Sequence, residues 1–156
     1  MGILYSEVHY DQLITDIENC CLTESVCTTC DKPSCIVGYA QNCIMESMKN
    51  KVTYIEGGDT AIPFTDFKLY EREDFVQGIA HTLKMCRSCH HNHYSQCIIS
   101  VIRNCYEIVL FGESQPYNGS NLRYLNYLHT HHPELAERII AEFHNITYGN
   151  ESEEKK

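Results

Sequence analysis

The sequence predicts a mainly α-helical single domain, a bundle of about five to six helices carrying one small β-hairpin. Three observations carry that prediction. Apolar residues recur at the i, i+3, i+4, i+7 spacing of a buried helix face in several separate stretches. Residues that start or stop helices, Ser120, Pro133 and Gly112, stand at the edges of those stretches. The one segment with paired β-prone runs, KVTYIEGGDTAIPF, is short. At 156 residues with 43% hydrophobic content, the chain is long enough to bury roughly two thirds of its unfolded surface in one core.

Tyr10, Leu13, Ile14 and Ile17 place a first helix near the start, with Ser6 as its N-cap and its end near Asn19. CCLTESVCTTCDKPSC follows, too rich in Thr, Ser and Asp and too broken by Pro33 for regular structure. Ser34 can cap a second helix whose inner stripe is Ile36, Val37, Ala40, Ile44 and Met48. Between Lys51 and Phe64, Gly57 and Gly58 supply the positive φ angles of a tight hairpin, with Pro63 confining its strand to an edge. A third helix is expected from Glu71 to Lys84, with Phe75, Val76, Ile79 and Leu83 inward. The fourth, Tyr94 to Phe111, has the most persistent apolar stripe and should be central, with Gly112 as its stop. Ser120 caps a short helix bearing Leu122, Leu125 and Leu128, and Pro133 opens the last one. Residues 1–150 thus read as one cysteine-rich helical metal-binding domain and 151–156, ESEEKK, as a solvated charged tail.

Ten cysteines are the outlier of the composition. The first twenty residues lack a basic region followed by an apolar run, and no window approaches the roughly 20 apolar residues of a membrane span. The expectation is a cytoplasmic protein without membrane contact, in which thiols serve as free side chains, metal ligands or redox groups rather than disulfides. A net charge of -9 argues against a nucleic-acid partner, and the N-x-S/T sequons at Asn118, Asn145 and Asn150 have no glycosylation machinery to meet there. An acidic surface is compatible with docking to a protein partner.

Spacing sorts the cysteines. Cys27 with Cys30 and Cys86 with Cys89 form two CxxC turns, each placing two sulfurs within reach of one metal and lying just before a helix whose N-terminal dipole favours thiolate. Together they would make a four-sulfur site joining two distant loops. Cys35 extends the first turn to C-x2-C-x4-C, with Cys20 and Cys21 as possible fourth ligands, so this loop alone could also hold a cluster. That spacing is loosely similar to the loop of WhiB-like iron-sulfur regulators, with different gaps. Cys43, Cys97 and Cys105 fall on apolar helix stripes and read as core residues.

CRSCHHNH, residues 86–93, adds His90, His91 and His93. His90 and His93 could complete a Cys/His zinc site, and His129, His131 and His132 form a second group that might face the first. The alternative is that both groups are solvated turn residues. CRSCH also has the form of a c-type haem attachment site, which is assembled outside the cytoplasm, and a thioredoxin-like dithiol would need a preceding strand where a helix is expected. Serine-hydrolase, P-loop, dinucleotide and HExxH motifs are missing, so no catalytic residue is assigned. Two functions lead, with an enzyme a distant third because neither a substrate pocket nor a directed acid and base can be located in the sequence. One is an iron-sulfur protein, with a 4Fe-4S cluster favoured, serving electron transfer, redox or gas sensing, or a larger metalloenzyme. The other is a structural zinc domain with four cysteine ligands that binds a protein.

Overall fold

The computed structural model describes residues 8–21, 35–63, 66, 70–85, 97–117 and 120–146. Among these, six helices form: α1 (Tyr10–Cys20), α2 (Ile36–Asn50), α3 (Arg72–Met85), α4 (Ile98–Phe111), α5 (Asn121–His131) and α6 (Pro133–Asn145). The mainly helical bundle is therefore as expected.

Local signals account for several boundaries. The Ser120 hydroxyl accepts a hydrogen bond from the Arg123 N–H (3.3 Å) and starts α5. Pro133 occupies the first turn of α6, where its missing N–H costs nothing. Gly112 ends α4 at φ 85, a left-handed conformation that favours glycine. α4 is buried on almost every side and is the central helix, as its apolar sequence implies.

The expected hairpin is not there. Among the described residues no strand forms, and the only β pairing is an isolated antiparallel bridge between Tyr54 and Cys97. Two causes are visible. The backbone of Thr53 is committed to α4, its carbonyl accepting from the Ile98 N–H (2.8 Å). The Gly57 region coils instead of folding back, since Gly58 N–H donates to the Ile55 carbonyl, and Thr60 and Ala61 N–H both donate to the Gly57 carbonyl. Gly58 packs directly on α4, where a Cβ would come within 2.9 Å of Val101 Cγ2.

The end of α2 and the start of α3 therefore lie at opposite ends of the bundle. At the near end, the Tyr10 hydroxyl of α1 sits 2.5 Å from Ser47 Oγ near the end of α2, and Ser47 donates to the Val52 carbonyl. At the far end, Asp66 accepts a hydrogen bond from the N–H of Ile36, the first residue of α2. The N-cap position belongs to Cys35, whose side chain makes no cap bond, rather than to Ser34. A carboxylate thirty positions away supplies the acceptor instead.

Packing follows from this crossover. α1 runs antiparallel to α2 and to α3: Asp16 meets His81, and Cys20 lies close enough to Asp74 to feel its charge. α3 and α4 are antiparallel, with Phe75 edge-on to Tyr106 at 5.6 Å. α6 lies beside α3, where Arg138 pairs with Glu73 and Lys84 Nζ sits 4.3 Å over the Phe143 ring. No helix is long and apolar enough to cross a membrane among the described residues.

Candidate functional site

Of the cysteines expected to bind metal, Cys20, Cys21 and Cys35 are described. Cys27, Cys30, Cys86 and Cys89 lie outside the described residues, as do His90, His91 and His93.

Cys20 and Cys21 are adjacent but chemically opposite. Cys20 is 2% exposed and continues the inner stripe of Leu13 and Ile17. Burial first, then the nearby charges of Asp74 and Asp16, pushes its thiol well above the ordinary range, so it is a neutral core thiol. Cys21 is exposed, at the C-cap of α1. Of the pair, it is the one a metal can reach.

Cys35 is half-buried at the N-cap of α2. Its Sγ lies 3.3 Å from the Tyr70 hydroxyl. Tyr70 donates in turn to Asp66 Oδ2 at 2.5 Å, the same oxygen that receives the Ile36 N–H at 2.8 Å. Burial, reinforced by Asp66 and Cys35, raises the Tyr70 phenol far above its usual range, so it remains a proton donor. One carboxylate thus fixes the helix start and the hydroxyl beside the sulfur. Asp66→Ala would leave the Ile36 N–H without its acceptor and the Tyr70 hydroxyl with only the Cys35 sulfur, and should cost about 1–2 kcal/mol, read as a lower urea midpoint with an unchanged slope.

The ends of the bundle decide how the cysteine loops relate. Cys21 and Cys35, which flank segment 22–34, both lie at the end where α3 begins. Met85 and Cys97, which flank segment 86–96, lie at the opposite end, where Cys97 pairs with Tyr54. From Asp74 to Met85 the helix rises about 17 Å. Cys86 is bonded directly to Met85, one residue or about 3.8 Å between Cα atoms. A four-sulfur site drawn from both turns therefore requires segment 22–34 to extend along much of the bundle. Sites confined to one end require no such extension.

The remaining cysteines pack. Cys43, Cys97 and Cys105 are 5%, 4% and 0% exposed and belong to the hydrophobic core. Burial lifts the Cys43 thiol to about 11, against a partial lowering by its bond to Tyr39, and burial likewise raises the Cys105 thiol well above its ordinary value.

The second histidine group is at the α5–α6 turn, the end opposite the flanks of 86–96. Its members are engaged locally: His131 stacks on Tyr127 at 4.0 Å, His132 packs on Phe111 at 4.5 Å, and His129 lies 3.8 Å from Glu137. Among the described residues no three His, Cys, Asp or Glu side chains converge as a metal site would need.

Two polar clusters were not foreseen. Asp16, 5% exposed, pairs with His81 across the α1–α3 interface at 2.8 Å. Within α4, Glu107 accepts from Arg103 Nε (3.3 Å), from the Tyr124 hydroxyl (2.5 Å) and from the Gln115 N–H (3.0 Å), and all three partner residues are buried. The i, i+4 placement of Arg103 and Glu107 on the most apolar helix is the sequence signal that points to this pair. Comparison of the chain with family models, with curated proteins and with solved structures finds no match.

Proposed function

We propose that this protein is a cytoplasmic iron-sulfur protein whose cluster, of the 4Fe-4S type, is held at the α1–α2 end by Cys27, Cys30 and Cys35 with Cys21 as the fourth ligand. It works in electron transfer, in redox or gas sensing, or as an accessory to a metalloenzyme, through a protein partner. The observation that carries this reading is the placement of Cys21 and Cys35. Cys21 is exposed and Cys35 half-buried, both stand at helix termini at one end of the bundle, and along the sequence they bracket a CxxC turn. Cys35 has in addition a hydroxyl beside its sulfur, and hydrogen bonds to ligating sulfur tune cluster potential.

The second reading is a structural zinc site of four cysteines, Cys27, Cys30, Cys86 and Cys89, or a Cys/His site in which His90 and His93 join Cys86 and Cys89. Zinc is colourless, so anaerobic purification separates the two. Broad visible absorption that bleaches in air, with iron and acid-labile sulfide in the metal analysis, is the expected result. Cys27→Ser, Cys30→Ser, Cys35→Ser and Cys21→Ser should each diminish it, while Cys20→Ser and Cys86→Ser should leave it in place. Colourless protein containing zinc without iron or sulfide would replace this reading with the zinc one.

A further inference from the structure

α1 and α2 lie side by side and antiparallel, and a groove of about 240 Å³ opens between them. Its floor is apolar, with Ile17 and Ile44 each 1% exposed and Ile14 half-buried. Glu18 of α1 and Met45 of α2 line it from its two sides. Met45 is 61% exposed, and Leu122 and Tyr127 are the other exposed large hydrophobics among the described residues. A flexible thioether left open to solvent beside an apolar floor is suited to closing over a guest side chain. The volume falls below the roughly 300–1,000 Å³ of sites for whole organic ligands, so an inserted side chain fits it better than a free small molecule.

Charge selects the occupant. Asp11, Ile14 and Glu18 follow the i, i+3, i+7 spacing of one stripe along α1, so an acid stands on each side of the isoleucine. Both acids are exposed, and they are about 10 Å apart along the helix, two full turns. α1 contains no lysine or arginine, and α2 adds the exposed Glu46 next to Met45 against one cation, Lys49, in its last turn. A second copy of the chain would bring the same acidic stripe to the same groove, and like charge opposes that. A partner with cations two turns apart, on either side of an apolar side chain, meets both acids and covers the floor. A helix lying in the groove has that period, since its anchors recur at i, i+3, i+4 and i+7.

We propose that the α1–α2 groove docks a basic amphipathic helix of a partner protein, with a leucine-sized side chain on Ile14, Ile44 and Met45 and with lysine or arginine residues, seven apart, on Asp11 and Glu18. That helix is the protein partner of the proposed function, a reading on which this inference rests only in its need of a partner. Glu18 is nearly one turn before Cys21, so the docked helix lies beside the end of the bundle assigned to the cluster. The docking contacts themselves involve no metal.

The full-length protein, isotope-labelled at its methionine methyl groups, is titrated with a synthetic alanine-based helix of about 15 residues. The probe carries two lysines seven apart with leucines at the third and fourth positions between them, and its control carries glutamates in place of the lysines. The Met45 methyl signal, assigned with Met45→Leu, should shift saturably with the lysine peptide at concentrations up to about 1 mM, and the control should bind at least about tenfold more weakly. Met45→Glu should weaken the lysine peptide about tenfold or more, read by anisotropy of the labelled peptide. Glu18→Lys should cut the preference for lysine over glutamate peptide about threefold or more. Both positions are exposed, so neither change should lower the melting temperature by more than about 2 °C. A Met45 signal unmoved by the lysine peptide, equal binding of the control, or undiminished binding by Met45→Glu would each overturn the proposal. A dimer dispersed by Met45→Glu would overturn it in favour of a second copy in the groove. Colourless protein that still binds the lysine peptide would remove the cluster and uphold the docking, whereas coloured protein that ignores the peptide would remove the docking alone.

Discussion

Gly78→Ala should destabilise the protein by about 3 kcal/mol, a large loss for one added methyl group. In an exposed helix the same change is favourable by up to about 1 kcal/mol, because alanine is the better helix former. Here the sign reverses on contact distances. A Cβ on Gly78 would lie 2.3 Å from Cζ of Tyr106 and 2.7 Å from Cε1 and Cε2, which is inside the ring's van der Waals surface. Tyr106 cannot retreat, since it is fully buried and held edge-on by Phe75. The alternative is for α3 and α4 to separate, which opens the most heavily packed interface of the bundle. Urea unfolding measures the loss directly. Pairing Gly78→Ala with Tyr106→Leu should recover at least about 1 kcal/mol of the sum of the single effects, as coupled neighbours do. Additive effects would mean the two helices are not in contact at this point.

The glycine that permits this contact illustrates what could and could not be read from the chain alone. Helix faces were legible because burial imposes a local period, and Ser120, Pro133 and Gly112 act within a few residues of themselves. Cys43, Cys97 and Cys105 were legible as core for the same reason. Cys20 carried that signal too, three positions beyond Ile17 on the same stripe, yet its neighbour Cys21 and the nearby CxxC turn made it look like a ligand. Asp66 was not legible as the acceptor for the start of α2, because thirty intervening residues hide the contact.

The largest consequence came from residues 51–71. A hairpin there would return the chain to the end where α2 finishes, and α3 would then deliver segment 86–96 to the same end as 22–34. The observed crossover reverses that. It places the flanks of the two cysteine loops at opposite ends, so a four-sulfur site shared by both loops would need segment 22–34 to reach along the bundle, whereas a site local to one loop would not. No pattern in KVTYIEGGDTAIPF marks the difference. It is decided by Gly58 docking on Val101 and by the Thr53 carbonyl reaching Ile98, both tertiary contacts.

Glu107→Ala should cost about 4 kcal/mol, because removing one member of a buried ion pair strands the other. Arg103 is 2% exposed and Tyr124 1%, and the Gln115 N–H is also turned inward, so three donors lose their acceptor at once. Replacing the pair together, Arg103→Met with Glu107→Leu, should cost much less, since no charge is then left without its partner. The pH dependence has a definite sign. Burial raises the Glu107 carboxyl above the ordinary 4.5, while Arg103, Tyr124 and the Gln115 N–H each pull it back down. A raised value means that the native state holds this proton more tightly than the unfolded chain. Its contribution therefore favours the fold at low pH and is lost as the pH rises through the native value. Glu107→Gln cannot titrate at this position, so it serves as the reference against which that loss is read. The stability of the parent minus that of Glu107→Gln should be greatest below 4.5 and should shrink as the pH rises toward neutrality. Urea midpoints of both proteins across that range test the sign. A difference that instead grows toward neutrality would show that Arg103 and its two fellow donors outweigh burial and hold the carboxylate ionised.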